Sequence, residues 1–249
     1  MSEKKIELIL DLHGSERDTS EGYEWTAGAD ALILDPCRCG VEEFQQMPVD
    51  KAVVVAGDPE KNLDWLQTDF CRWVGDGGLD NLARIRDRWP EQEWIPRLTV
   101  YRPEVSYRFS GQSLGEGFSF YMPDTAAING CRVVDGDAPL AEEVTRAVTL
   151  GFSTLWLHSG DADSKAMGLD IEMLDKVQGG PLDIWISGGV ASSEHLRNLA
   201  KTDGAAAVVV NERLVRETGI DPLLQALAPE VVIPEAVPVH FEPSPAKTG

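Results

Sequence analysis

The sequence predicts an α/β fold: a single (β/α)8 barrel of the TIM type, with a hairpin-like insertion after the fifth strand and an extended C-terminal tail. Three observations carry this. Eight short apolar runs recur along the chain, each ending at a turn residue or a polar side chain. Amphipathic stretches fill most of the gaps between them. The length of 249 residues matches the roughly 250 typical of such a barrel. Continuous apolar runs mark strands buried on both faces, and their alternation with helices indicates a parallel sheet. An open doubly wound sheet would carry fewer strands and a glycine fingerprint after the first one. Asp11-Leu12-His13-Gly14 is no such fingerprint.

Taken in order, the first run is 6–10 (IELIL), ending at Asp11, and the second is 31–34 (ALIL), ending at Asp35. The third, 52–55 (AVVV), leads into Ala56-Gly57, and the fourth, 70–74 (FCRWV), ends at Gly75. A helix over 79–89 follows, with Leu79, Leu82, Ile85 and Trp89 at helical spacing. The fifth strand is 95–100, with Leu98 and Val100 as its apolar core. Segment 102–134 then breaks the rhythm. It is long and rich in Tyr, Phe, Gly and Ser, and 105–109 with 117–122 read as a hairpin. In a barrel this loop lies on the C-terminal face, and a loop of such length is usually functional or disordered. Its aromatics weigh against disorder and suit a protein contact through 105–122.

A helix over 140–150 starts after Asp137-Ala138-Pro139, a cap followed by proline, and stops at Gly151. The sixth strand, 154–157, ends at His158, and the seventh, 184–186, ends at Ser187. A helix over 192–200 precedes the eighth strand, 206–210, which ends at Asn211. The last helix opens at Asp221-Pro222 and runs to Leu227. The barrel is thus expected over 1–230. The stretch 231–249 holds several prolines and no period, and reads as an extended or disordered tail.

Charge narrows the function classes. With 22 Lys+Arg against 42 Asp+Glu, the formal charge is −20. That argues against nucleic acid as a partner, because phosphate contacts need a basic surface, and against an anionic membrane surface. It leaves room for a small phosphorylated metabolite, which backbone N–H groups at a helix start can hold. No apolar run approaches the roughly 20 residues of a membrane helix, and the polar start shows no signal-peptide pattern. A cytoplasmic location is expected. The four cysteines, Cys37, Cys39, Cys71 and Cys131, are sparse, as in a reducing compartment. Cys37 and Cys39 are too close for the usual zinc pair, and all four read as structural thiols. The histidines His13, His158, His195 and His240 form no local metal motif. Neither a metal nor another cofactor is expected.

In a barrel the reactive groups stand at the C-terminal ends of the strands. Those ends carry Asp11, Asp35, Gly57, Gly75, the 99–102 region, His158, Ser187-Gly188-Gly189 and Asn211, with Asp163 in the loop after the sixth strand. The rule brings Asp11 and Asp163 toward one face. Two carboxylates across a small pocket can divide general base and general acid between them. Such aspartates equally often serve structural ion pairs. His158 could act as a base or orient an Asp, although a strand-end His is more often simply hydrogen-bonded. Ser187-Gly188-Gly189-Val190 joins a strand to a helix. Its glycines would let backbone approach an anion at the helix N-terminus, and barrels often bind phosphate after strands seven and eight. The plain alternative is a tight turn. A similar junction at 74–78 contains Asp76, which would repel a phosphate. The tryptophans 65, 73, 89, 156 and 185 occupy apolar positions, where core packing explains them at least as well as ligand stacking.

The stretch 151–217 resembles the HisA/HisF group of phosphoribosyl-handling barrels of histidine biosynthesis. The matching text is 155–163 (LWLHSGDAD), 168–174 (GLDIEML), 186–190 (ISGGV) and 208–214 (VVVNERL), with 9–12 (ILDL) similar to the family's first strand. The resemblance implies that Asp11 and Asp163 are catalytic and that Ser187, Gly188, Gly189, Val190 and the region of Asn211 bind phosphate. The good match covers about half the chain, mostly its C-terminal half. Departures are clear. The family's glycine-rich phosphate loop after strand three is replaced by Ala56-Gly57-Asp58. Its strand-five Asp is missing from 97–101 (RLTVY), its strand-six Thr is His158, and Asn211 stands in place of a glycine. The chain therefore resembles a divergent member that differs from the orthodox histidine-pathway isomerase. HisA-like relatives also occur beside one-carbon metabolism with methanofuran or methanopterin cofactors.

Two functions are expected from this reading. One is an isomerase or lyase that uses Asp general acid–base chemistry on a small phosphorylated sugar-like metabolite, with Asp11 as base and Asp163, joined by His158, as acid. The other is a catalytically reduced barrel serving as a binding or assembly subunit.

Overall fold

The computed structural model describes residues 5–12, 23–36, 52–58, 61–62, 65, 71–75, 78–103, 107–113, 119–123, 130–165, 168–177 and 179–228. Eight parallel strands close on one another. They are β1 (Glu7–Asp11), β2 (Ala31–Leu34), β3 (Ala52–Ala56), β4 (Cys71–Gly75), β5 (Glu93–Tyr101), β9 (Thr154–Ser159), β10 (Asp183–Ser187) and β11 (Ala205–Asn211). Each of the eight expected strands falls on one of these. β1 pairs with β11 and β4 with β5, so the sheet has no open edge. Closure removes the exposed row of N–H and C=O groups that an edge strand carries. The short β8 (Arg132–Val133) runs antiparallel beside the end of β5. The strands β6 (Tyr107–Ser113) and β7 (Ser119–Pro123) pair antiparallel with each other.

Two apolar layers follow from strand alternation. Side chains point to opposite faces at period two. On β1, Ile9 joins a cluster with Ala31, Ile33, Trp156, Trp185 and Val209, which fills the barrel interior. Leu8 and Leu10, one step out of phase, join the outer layer together with helix residues such as Leu82, Leu196 and Leu223. At the N-terminal end of the interior, Arg72 Nε lies 2.9 Å from Glu93 Oε2, and Thr154 Oγ1 donates to Glu93 Oε1 at 3.2 Å.

The described helices Leu79–Arg88, Leu140–Thr149, Ser193–Ala200 and Ile220–Leu227 lie where the apolar spacing placed them. Three further helices, Gly160–Lys165, Ile171–Val177 and Glu212–Thr218, are too short to show a period in the sequence. One cap is corrected. Helix Leu140–Thr149 has no side-chain cap, because the Asp137 carboxylate takes the Tyr101 hydroxyl and Arg132 Nε instead. His13, Cys37, Cys39, Asp76, His240 and the 231–249 tail lie outside the described residues. Cys131 is a free, buried thiol.

Candidate functional site

Register brings the site together. Asp11 lies opposite Asn211 across the β1–β11 pair. His158 lies opposite Ser187 across β9–β10 and opposite Thr99 across β5–β9. Asp11, Arg97, His158, Ser187 and Asn211 are each two residues beyond an interior position on their strands, so their side chains continue inward. They meet in a cavity of about 250 Å³ at the C-terminal mouth of the barrel. Asp163, Gly188, Gly189, Val190 and Trp156 also line it. The eight residues given catalytic or phosphate-binding roles from the sequence therefore line one cavity. Asp35, Gly57, Gly75 and the 99–102 region are not among its lining residues.

Arg97, Val209 and Val210 also line the cavity without a role read from the sequence, and Trp156, weighed there between core packing and ligand stacking, is one of its walls. Arg97 and Trp156 are register partners, and the Arg97 guanidinium lies 4.6 Å over the Trp156 ring. Strict period-two reading of β5 would have found Arg97, since it is in phase with interior Ile95. Trp156 is in phase with His158 and is both core and cavity wall, being 1% exposed. Its indole Nε1 donates to Ser187 Oγ at 2.7 Å, and His158 Nδ1 lies 2.9 Å from the same oxygen.

The glycine pair has a packing reason of its own. Gly188 and Gly189 both have positive φ, 98° and 85°. A Cβ at Gly188 would collide with the Ser159 carbonyl, and one at Gly189 with the Gly168 carbonyl and Ala162. The turn after β10 is pressed onto the loop after β9, and Gly168 N donates to Gly189 O at 2.9 Å. Asp163, in helix Gly160–Lys165, sits at this contact, with Oδ1 3.5 Å from Gly189 N. Ala191 N donates to His195 Nδ1 at 3.1 Å. Asn211 Oδ1 accepts from Leu214 N at 2.9 Å and so caps helix Glu212–Thr218.

Neighbouring carboxylates are directed elsewhere. Arg102 donates through its backbone N to Asp161 Oδ2 at 2.7 Å and through Nε to Asp170 Oδ2 at 2.9 Å, and its NH1 reaches Glu172. The guanidinium holds Glu172 below the ordinary glutamate range. Among the described residues no group of three or more His, Cys, Asp or Glu side chains is placed to hold a metal ion.

The site is thus the polar mouth of a closed parallel α/β barrel, the usual place for chemistry in this architecture. No protein-family model matches the chain, and no curated protein matches it. What the fold supports of the likeness to the HisA/HisF group is the closed barrel alone, a scaffold shared by many unrelated activities. The expectation about partners is corrected. The expected protein contact through 105–122 falls on side chains that lie outside the described residues, so the structure carries no partner surface for it to be read from. Among the described residues the one exposed large hydrophobic is Val134, which makes no docking face. Among them, too, no helix is long and apolar enough to cross a membrane.

Proposed function

We propose that the chain is a HisA-like isomerase or lyase that moves a proton on a small phosphorylated, sugar-like metabolite. The observation that carries this reading is the shared cavity of Asp11 and Asp163. Asp11, fixed at the end of β1, would take a proton from the carbon beside a carbonyl or imine. Asp163, assisted by His158, would deliver a proton to the heteroatom where charge develops. A positioned acid or base typically contributes about 10²–10⁴-fold. The volume of about 250 Å³ lies just below the range of ligand sites, which run from roughly 300 to 1,000 Å³. That favours a compact, singly phosphorylated substrate over the two-phosphate ligand of the family. The phosphate would lie against the backbone of 188–190, ahead of helix Ser193–Ala200.

The experiment is a panel of aldose, ketose and amino-sugar phosphates, followed by NMR in D2O. The wild type is expected to incorporate deuterium or convert at least one member, and that member should raise the melting temperature. D11N should stay folded by circular dichroism and lose at least about 10²-fold in rate. Full activity in D11N, or no shift and no exchange across the panel, overturns the reading.

A further inference from the structure

We propose that Trp156 and Ser187 are positioning residues that hold neutral His158 in its Nε2–H form, so that the imidazole serves the cavity as a proton donor through Nε2. The value of that donor rests on the acid–base reading of the cavity; the position of the proton does not.

The argument is one of donors and acceptors. An indole N–H can only donate. Trp156 is 1% exposed, and its Nε1–H points at Ser187 Oγ, 2.7 Å away. Ser187 is itself buried, so its hydroxyl hydrogen is a donor that needs an acceptor. His158 Nδ1 stands 2.9 Å from that oxygen. Were Nδ1 protonated, two N–H groups would converge on one oxygen, and the hydroxyl hydrogen would have to turn away from both. With Nδ1 bare, each group meets its complement: indole N–H to Oγ, and Oγ–H to Nδ1. The single proton of the neutral ring then resides on Nε2. Which ring nitrogen is protonated is set by the bond the other makes.

Arg97 reinforces the arrangement. A cation over an indole face is held by the ring's electron density, and by drawing on that density it makes the N–H a better donor. Register puts Arg97 beside Trp156 and Ser187 beside His158, so the line runs across β5, β9 and β10. The Ser187 hydroxyl is thereby given to the histidine, and only the backbone of 187–190, which the sequence reading assigned to phosphate, is left for an anion.

The test uses the full chain labelled with 15N-histidine, with H158N to assign the His158 signals among the four histidines. Long-range 1H–15N correlation at a pH above neutral distinguishes the two tautomers. The wild type should show Nε2 protonated and Nδ1 bare. S187A should lose this preference and populate the Nδ1–H form, whereas S187T, which keeps a hydroxyl, should retain it. An Nδ1–H ring in the wild type, or a spectrum unchanged in S187A, overturns the proposal. Neither result depends on turnover, so a failure to find a substrate would count against the acid–base reading and leave this one standing.

Discussion

At the scale of single residues, the turn after β10 is the most constrained place in the site. Gly189 combines a left-handed backbone with contact against the Gly168 carbonyl. G189A is expected to cost about 1–2 kcal/mol for the conformation and about 1–3 kcal/mol more for overpacking. G136A is the control: Gly136 also has positive φ, 81°, but a Cβ there meets nothing within 4 Å. It should lose only about 1–2 kcal/mol. Urea unfolding of both variants checks the difference. These residues also show what was legible. Asp11, His158 and Ser187 were found because each follows an apolar run directly. The reason for Gly188 and Gly189 was not, because the carbonyls they admit come from the end of β9 and the loop beyond it, about 20–30 residues earlier, and a turn reads the same whether it faces an anion or another backbone. Arg97 was missed because a charged residue inside a strand looks like a surface position until its phase is followed, and Trp156, left between core packing and ligand stacking, is both core and cavity wall.

At the scale of elements, strands were easier to read than helices. A strand buried on both faces leaves an unbroken apolar run, whereas Gly160–Lys165 (GDADSK) buries no residue and so carries no pattern. That short helix is tied to the end of β5 by the Arg102 backbone N–H, which donates to Asp161, while the Arg102 side chain reaches Asp170 and Glu172 at the start of the next helix. R102Q should loosen this junction by about 1–2 kcal/mol, chiefly through the Asp170 pair. Its pH dependence has a definite sign. Arg102 depresses the folded-state value of Glu172, so the unfolded chain takes up that proton more readily. The contribution is complete above the unfolded value of about 4.3 and is lost as pH falls through the lower folded value. Denaturant midpoints measured from about pH 6 to about pH 3 should therefore fall more steeply in the wild type than in R102Q. Asp137, held low by Tyr101 and then Arg132, should behave in the same direction, and R132Q should flatten its part of the curve.

At the scale of the whole molecule, the closed sheet joins the first strand to the last, so no described strand of the barrel is a free edge. The net charge of −20 acts on all of it. Like charges in excess repel most strongly in the compact state, and the Debye length shrinks from about 10 Å at 0.1 M to about 3 Å at 1 M salt. The melting temperature should accordingly rise between about 0.1 and about 1 M NaCl, and calorimetry at the two concentrations checks the sign; a fall would mean that ion pairs such as Arg102–Asp170 outweigh the general repulsion. The same surplus bears on the cavity, where Arg97 is the one arginine or lysine among the described lining residues, which also include Asp11 and Asp163. The wall that Arg97 covers is an indole, and this gives the molecule an optical reporter of its own. A ligand entering the mouth changes the polarity around Trp156, so emission should shift on binding in the wild type. The shift should vanish in W156F, while the signal from the six other tryptophans remains as an internal reference.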